Sequence, residues 1–233
     1  MDENKRIKGV YSNRDKAGKR ALYSWSNLHA LYQSSTKSRM MSNILHSSFG
    51  DDLSNLIVLD VGCGFGNFLR ELVEWGVDSD NCIGTEFLDD RLEKARKTSP
   101  KGIYYHLGDL DFDVNRAGKQ PNLVSAHTVF SSILDYRERK NLADQMWDKV
   151  RKGGWIMIFD FRYDNPSNPD VCKVTRKELD DWWPGSEKLY ITDILAPPLA
   201  RKLVGKSYLA AEMLTLFFPF LRSHFVYMVK KPE

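Results

Sequence analysis

From Leu56 onward the chain alternates between two hydrophobic periodicities. Leu56-Ile-Val-Leu-Asp-Val61 is an almost continuous apolar run ending in a glycine turn, the pattern of a central parallel strand buried on both faces. Asn67 to Trp75 reads as a helix stopped by Gly76. Cys82-Ile-Gly-Thr-Glu86 predicts a second strand and Asp89 to Lys97 a second helix. That helix has acids at its start and Lys94, Arg96 and Lys97 at its end, as the helix dipole prefers. Ile103 to Leu107 and Leu123 to His127 predict strands three and four, followed by a helix from about Arg137 to Val150. Lys152-Gly-Gly154 turns into a fifth strand, Trp155 to Phe161. A helix over Thr175 to Trp183, a sixth strand over Glu187 to Leu195 and a seventh over Ser223 to Lys230 complete the series. Buried parallel strands need crossover helices, so the alternation predicts an α/β fold with a doubly wound sheet.

The flanking segments depart from this alternation. Residues 1 to about 17 are polar and read as loop. Between Gly18 and Phe49, Leu22, Trp25, Leu28, Leu31, Tyr32, Met40, Met41, Ile44 and Leu45 recur at roughly helical spacing. Residues 1–50 are therefore expected to form a helical cap on a main domain spanning 51–233. The stretch between strands six and seven far exceeds a hairpin loop of about 2–5 residues. It predicts a helical insertion over about 197–221, with a helix after Lys202 that ends near Phe218. Its apolar run Met213 to Leu221 is about half a membrane span and contains Pro219. A buried helix end is expected there, with a membrane-surface patch as the alternative and no stable membrane insertion.

Composition narrows the class without naming a function. The net charge of +3 comes from 34 basic and 31 acidic residues that alternate through most of the chain, so no nucleic-acid partner is expected. Cys63, Cys82 and Cys172 are an odd, widely spaced set that supports neither a disulfide scaffold nor a structural zinc site. A reducing cytoplasm fits them, and the polar opening Met-Asp-Glu-Asn-Lys-Arg predicts no signal peptide. A monomer or homodimer is expected.

The chemistry concentrates at Gly62-Cys-Gly-Phe-Gly66, between a strand and a helix. Such glycines let a ligand approach main-chain N–H groups at a helix start. A nucleotide triphosphate loop needs a Lys-Ser/Thr that is missing, and a dinucleotide loop needs glycine where Asn67 stands. Asp60, one residue before Val61, would repel a pyrophosphate but attract an ammonium group. Glu86 ends the second strand about twenty residues later, the offset of a ribose-binding acid, with a surface acid at a strand end as the other reading.

Val58-Leu-Asp-Val-Gly-Cys-Gly-Phe-Gly-Asn67 resembles the first motif of class I S-adenosylmethionine-dependent methyltransferases. The resemblance runs from about Leu56 to Asp160, and the seventh strand also fits. It implies a Rossmann-like seven-stranded sheet with an antiparallel last strand, S-adenosyl-L-methionine as cofactor and S-adenosyl-L-homocysteine as product. It assigns Asp60, Gly62, Cys63 and Gly64 to the cofactor, Glu86 to its ribose, and Phe87 to the adenine face. Gly108-Asp109-Leu110 resembles the third motif, in which Asp109 accepts from the adenine amino group and the next backbone N–H contacts the ring; a simple turn acid is the other reading of Asp109. Arg151-Lys152-Gly153-Gly154 matches the family's turn before strand five.

The acceptor side is less determined. Ligands in such sheets lie at the carboxyl ends of strands. His127 ends strand four, in this fold at the sulfonium region, and is either a base or a wall. Asp160 and Arg162 end strand five, with Tyr163 beside them, and either orient a polar acceptor or form a structural ion pair. Arg39, on an N-terminal extension that also carries Tyr11, Tyr23, Trp25 and Tyr32, is a candidate partner for the methionine carboxylate. No Asp/Lys/Asn metal constellation stands out, so metal-independent transfer is expected. The Asn-Pro-Pro-Tyr type of motif is absent after strand four, which argues against a DNA adenine methyltransferase. The tail and Trp182-Trp183-Pro-Gly are similar to small bacterial methyltransferases of surface-polysaccharide and secondary-metabolite pathways. The expected activity is O-methylation of a small-molecule or glycosidic hydroxyl. N-methylation of a small molecule, a NAD-dependent oxidoreductase and a catalytically silent binding module are the alternatives.

Overall fold

The computed structural model describes residues 3–16, 24, 26–116, 118–166, 168–184 and 187–233. Leu22, Tyr23 and Trp25 lie outside them. Two helices come first, α1 (Glu3–Lys16) and α2 (Leu28–Phe49). The alternating part follows as β1 (Val58–Val61), α3 (Asn67–Glu74), β2 (Cys82–Glu86), α4 (Asp89–Thr98), β3 (Tyr104–Leu107), β4 (Leu123–His127), α5 (Tyr136–Lys149) and β5 (Trp155–Phe161). Then come α6 (Arg176–Trp182), β6 (Lys188–Leu195), α7 (Pro197–Leu203), α8 (Tyr208–Phe217) and β7 (Arg222–Lys230).

The strands form one seven-stranded sheet in the order β3-β2-β1-β4-β5-β7-β6. β1 to β5 pair in parallel, and β7 runs antiparallel to both β5 and β6. The chain winds outward from β1 to β3 and then returns to place β4 on the other side of β1. The carboxyl ends of β1 and β4 therefore diverge at a topological switch point, where α/β sheets open a crevice.

Period-two alternation divides the core between the faces of the sheet. Along β5, Met157 and Phe159 join one cluster with Met40, Met41, Ile44 and Leu45 of α2 and Leu69 and Leu72 of α3. Ile156 and Ile158 join the other, with Ala143 and Met146 of α5 and Leu179 and Trp182 of α6. Thr175 begins α6 through a capping box: its hydroxyl accepts from the Glu178 N–H while Glu178 accepts from the Thr175 N–H.

Two expectations for the flanks need correction, the opening loop and the buried helix end, and two gain detail. The opening residues are helical as α1, not loop. A helix this polar gains little from its own sequence, and docking holds it: Glu3 accepts from the Leu134 N–H at 2.6 Å, and Arg6 donates to the Ser132 carbonyl. Leu28 and Leu31 keep helical spacing but are exposed, because the buried stripe of α2 starts at Tyr32. The insertion contains two helices, since Pro197 and Pro198 open α7 at the position where proline costs a helix nothing. Finally, Met213, Leu216, Phe217, Phe218 and Phe220 are exposed rather than buried. α8 turns its small residues Ala211 and Thr215 inward, and Ala211 packs with Ala200 of α7 and Val204 just after it, which leaves the large side chains outside.

Candidate active site

A cavity of about 560 Å³ lies at the carboxyl ends of β1, β2 and β4, within the size range of cofactor pockets. Its floor is the glycine turn. Gly62, Gly64 and Gly66 all have left-handed backbones, at φ 64°, 56° and 72°. Gly66 is the strictest of the three, because a Cβ there would run into the Tyr105 hydroxyl. A Cβ on Gly64 would meet only Glu86 Oε2, at 4.0 Å, and the Gly64 N–H donates to that same oxygen at 3.1 Å.

Two carboxylates flank this turn. Asp60 is 2% exposed, and register places it beside Ser125, whose hydroxyl donates to Asp60 Oδ1 at 2.8 Å. Burial pushes Asp60 up to about 7, against the Ser125 hydroxyl and the Lys37 charge, which favour ionisation. Glu86 also accepts from the Phe87 and Leu88 N–H groups at 2.8 and 3.0 Å. Burial raises it as well, opposed by these backbone donors and by Arg91.

Phe87, Asp109 and Leu110 line the same cavity, as does Cys63, whose thiol burial holds in the neutral form. Asp109 Oδ1 accepts from the Asp111 N–H at 3.1 Å, a turn of its own, and the residue faces the cavity at the same time. The carboxylates, the glycine turn and the motif following β3 are thus brought together around one space.

His127 ends β4 on the cavity wall. It packs against Phe68 with ring centroids 4.2 Å apart, and its Nε2 lies 3.8 Å from Asp60 Oδ1. That distance is too long for a hydrogen bond, and neither ring nitrogen has a partner. Burial, assisted by Lys37, holds His127 well below the ordinary imidazole value, so the ring is neutral near pH 7. A buried pair of unsatisfied nitrogens is a place where a ligand can repay a desolvation cost. The residue after it, Thr128, is β-branched yet sits at φ 56°, its N–H donating to the Phe159 carbonyl at 2.7 Å. Such a backbone costs roughly 1–3 kcal/mol and is typical of functional turns.

Asp160, Arg162 and Arg39 lie elsewhere. Asp160 is fully buried and accepts from the Ser131 and Phe161 N–H groups at 3.0 and 2.8 Å, which ties the turn after β4 to β5. Burial raises it to about 6. Arg162 donates to the carbonyls of Pro219 and Arg222 at 3.2 and 2.9 Å. The two therefore do not pair with each other, and neither lines the cavity. Arg39 is exposed, near Glu212 at 3.7 Å and Asp193 at 3.9 Å.

Lys37, which sequence reasoning passed over, enters the cavity instead. Two residues along a helix are about 200° apart, so Lys37 and Arg39 leave α2 on opposite sides. The Lys37 ammonium lies 4.8 Å above the Phe159 ring, and burial lowers its pKa against the pull of Asp60 and Glu71. The available signal was its position: a lysine four residues before Met41 lies on the buried stripe of α2. The other residues not singled out, Glu3 and Ile7, join Tyr11 in forming the roof. Glu3, Ile7 and Tyr11 of α1 line the cavity, the Tyr11 hydroxyl is 3.2 Å from Ser132 Oγ, and Arg91 stacks over the Tyr11 ring at 4.0 Å.

The wall charges suit a zwitterionic cation. Asp60 matches an ammonium, Glu86 a diol, Lys37 a carboxylate, and the apolar faces of Phe87 and Leu110 a planar ring. Among the described residues, no group of three or more His, Cys, Asp and Glu side chains converges to hold a metal.

Comparison with known proteins agrees with this geometry. A family profile described as Methyltransferase domain matches residues 32–190. No curated protein matches the sequence. Among solved structures, the plantazolicin methyltransferase BpumL, in complex with a triazolic desmethyl analog and S-adenosylhomocysteine, is 15% identical. The match covers 98% of this chain and 96% of that one at a TM-score of 0.63. Magnesium protoporphyrin IX methyltransferase from Synechocystis, with bound S-adenosylmethionine, is 11% identical over 99% of this chain and 98% of that one, also at 0.63. The N-methyltransferase NodS from Bradyrhizobium japonicum is 14% identical over 86% and 97%, at 0.58. These likenesses establish the shared fold, and the profile spans well over half of the sequence. The chain belongs to the methyltransferase domain family and is a class I S-adenosylmethionine-dependent methyltransferase.

Proposed function

We propose that this enzyme methylates a hydroxyl group of a small molecule or glycoside, with His127 as the base. Bound in this cavity, the cofactor would supply a methyl group on a sulfonium, the S–CH₃ bond breaking as the O–CH₃ bond forms and a neutral thioether leaving. What remains for the protein is alignment, exclusion of water and removal of one proton. Asp60 would hold the ammonium, Lys37 the carboxylate, Glu86 the ribose hydroxyls, and Asp109 with Phe87 and Leu110 the adenine. The glycine turn, from Gly62 through Cys63 to Gly64, contributes backbone. His127 takes the acceptor's proton at Nδ1, with its Nε2–H directed toward Asp60.

The observation that carries this reading is the neutral, unpartnered imidazole on the cavity wall beside Asp60. A hydroxyl needs such a base, whereas an amine that is already neutral does not. N-methylation is the rival reading, favoured by the N-methyltransferase named among the structural neighbours. Asp160 and Arg162 are proposed as scaffold for the acceptor side rather than contacts to it, and Arg39 as a surface residue. A panel of hydroxyl and amine acceptors, scored for S-adenosylhomocysteine release, separates the two readings. His127→Ala should lower kcat on a hydroxyl acceptor by about 10²–10⁴-fold with cofactor affinity kept. Turnover confined to amines and indifferent to His127 would discard the proposal.

A further inference from the structure

The outer surface of the β6–β7 insertion is inverted relative to an ordinary surface helix. α8 buries Ala211 and Thr215 and exposes Leu209, Met213 and Leu216, spaced as one helical stripe, followed by Phe217, Phe218 and Phe220. These six side chains are between 44% and 71% exposed. A helix that faces water normally carries its polar residues outward, and a contiguous apolar patch on that side marks an interaction surface. The only charge on α8, Glu212, lies 3.7 Å from Arg39.

We infer that α8 and the Phe218–Phe220 turn form a docking surface for an anionic lipid bilayer. Charge selects the occupant. Between Asp193 and Glu233 the sequence holds a single acid, Glu212, against Arg201, Lys202, Lys206, Arg222, Lys230 and Lys231. Arg201, Lys202 and Lys206 are exposed and flank α8 directly through α7 and the turn after it, and α7 packs on α8. Apolar side chains beside cations are the signature of an interfacial helix: the first enter the headgroup boundary and the second meet its negative potential. A second copy fits less well. A two-fold contact sets a patch against itself, which would oppose the same cations across the interface. The surface is tied to the carboxyl end of β5, because Arg162 just after that strand donates to the Pro219 and Arg222 carbonyls. No helix among the described residues is long and apolar enough to cross a membrane, so the attachment is peripheral.

The test is co-sedimentation of the full chain with vesicles of equimolar phosphatidylcholine and phosphatidylglycerol, and with phosphatidylcholine alone. Binding is expected to the anionic vesicles, weaker to the neutral ones, and reduced by salt. Phe217→Ser with Phe220→Ser should weaken it by about tenfold or more. Arg201→Gln, Lys202→Gln and Lys206→Gln together should remove the preference for the anionic lipid. Calorimetric affinity for S-adenosylhomocysteine, unchanged in both variants, reports the fold and is independent of which acceptor is methylated. Absence of vesicle binding, or binding that both variants retain in full, overturns the inference. So does a concentration-dependent dimer that Phe217→Ser with Phe220→Ser abolishes while no vesicle binding is seen.

Discussion

Asp60 couples the site to pH. Burial lifts it to about 7, so the folded chain holds its proton more tightly than the unfolded chain does. The stability that this difference contributes is full below the ordinary carboxylate value and is lost as pH rises from there through about 7. Cofactor binding runs the other way, since an ammonium wants the ionised carboxylate. Affinity for S-adenosylhomocysteine should therefore strengthen as pH rises through about 7, with proton release visible as a calorimetric heat that varies with the buffer. Asp60→Asn should bind more weakly, by about 1–3 kcal/mol, and lose that pH dependence. His127 does not compete in this window, because burial keeps it neutral. The lysine and the arginine of α2 offer a paired comparison. Lys37→Met should weaken S-adenosylhomocysteine binding by about tenfold or more, whereas Arg39→Met, at an exposed site, should leave it within about twofold. Equal losses in the two variants would contradict the placement of Lys37.

At the scale of the element, the glycine turn and α1 hold the cavity from opposite sides. Gly66 has a left-handed backbone and lies against the Tyr105 hydroxyl, so Gly66→Ala should cost about 1–3 kcal/mol or more in thermal denaturation. Gly9, inside α1 with nothing near it, is the counterpart: Gly9→Ala should be neutral or stabilising by up to about 1 kcal/mol. The roof is held by polar bonds to the loop after β4, from Glu3 to the Leu134 N–H and from Arg6 to the Ser132 carbonyl. Glu3→Ala with Arg6→Ala should speed S-adenosylhomocysteine release by about tenfold in stopped-flow displacement. An unchanged rate would mean that α1 does not close the site. The alternating elements were legible in advance, Trp155–Phe161 to the residue, because both periodicities are strong there. α1 was not, because its composition is polar apart from a few positions such as Ile7 and Tyr11, and its hydrogen-bond partners lie more than a hundred residues away.

For the molecule as a whole, cofactor binding and folding are linked. Saturating S-adenosylhomocysteine at about a hundred times its Kd should add about 2.7 kcal/mol, read as a rise in Tm. Glu86→Ala should diminish that rise, since the acid accepts from the Gly64 N–H and lines the cavity, where the proposed function assigns it to the ribose hydroxyls. Legible from the sequence alone were the fold class, the succession of strands and helices from Leu56 to Phe161, and the glycine turn. Local patterns suffice for these: buried strands read as apolar runs, and a glycine turn after a strand bearing Asp60 admits few ligands. Glu86 and Asp109 followed, because the fold puts them at set offsets from the turn. Tertiary structure alone decided which of Lys37 and Arg39 enters the cavity, that Asp160 spends its oxygens on backbone amides, and that the apolar run near Phe217 faces outward. Each is a matter of which side of an element meets a distant neighbour. Periodicity shows that a helix or strand has two faces, but only packing selects the face that is covered.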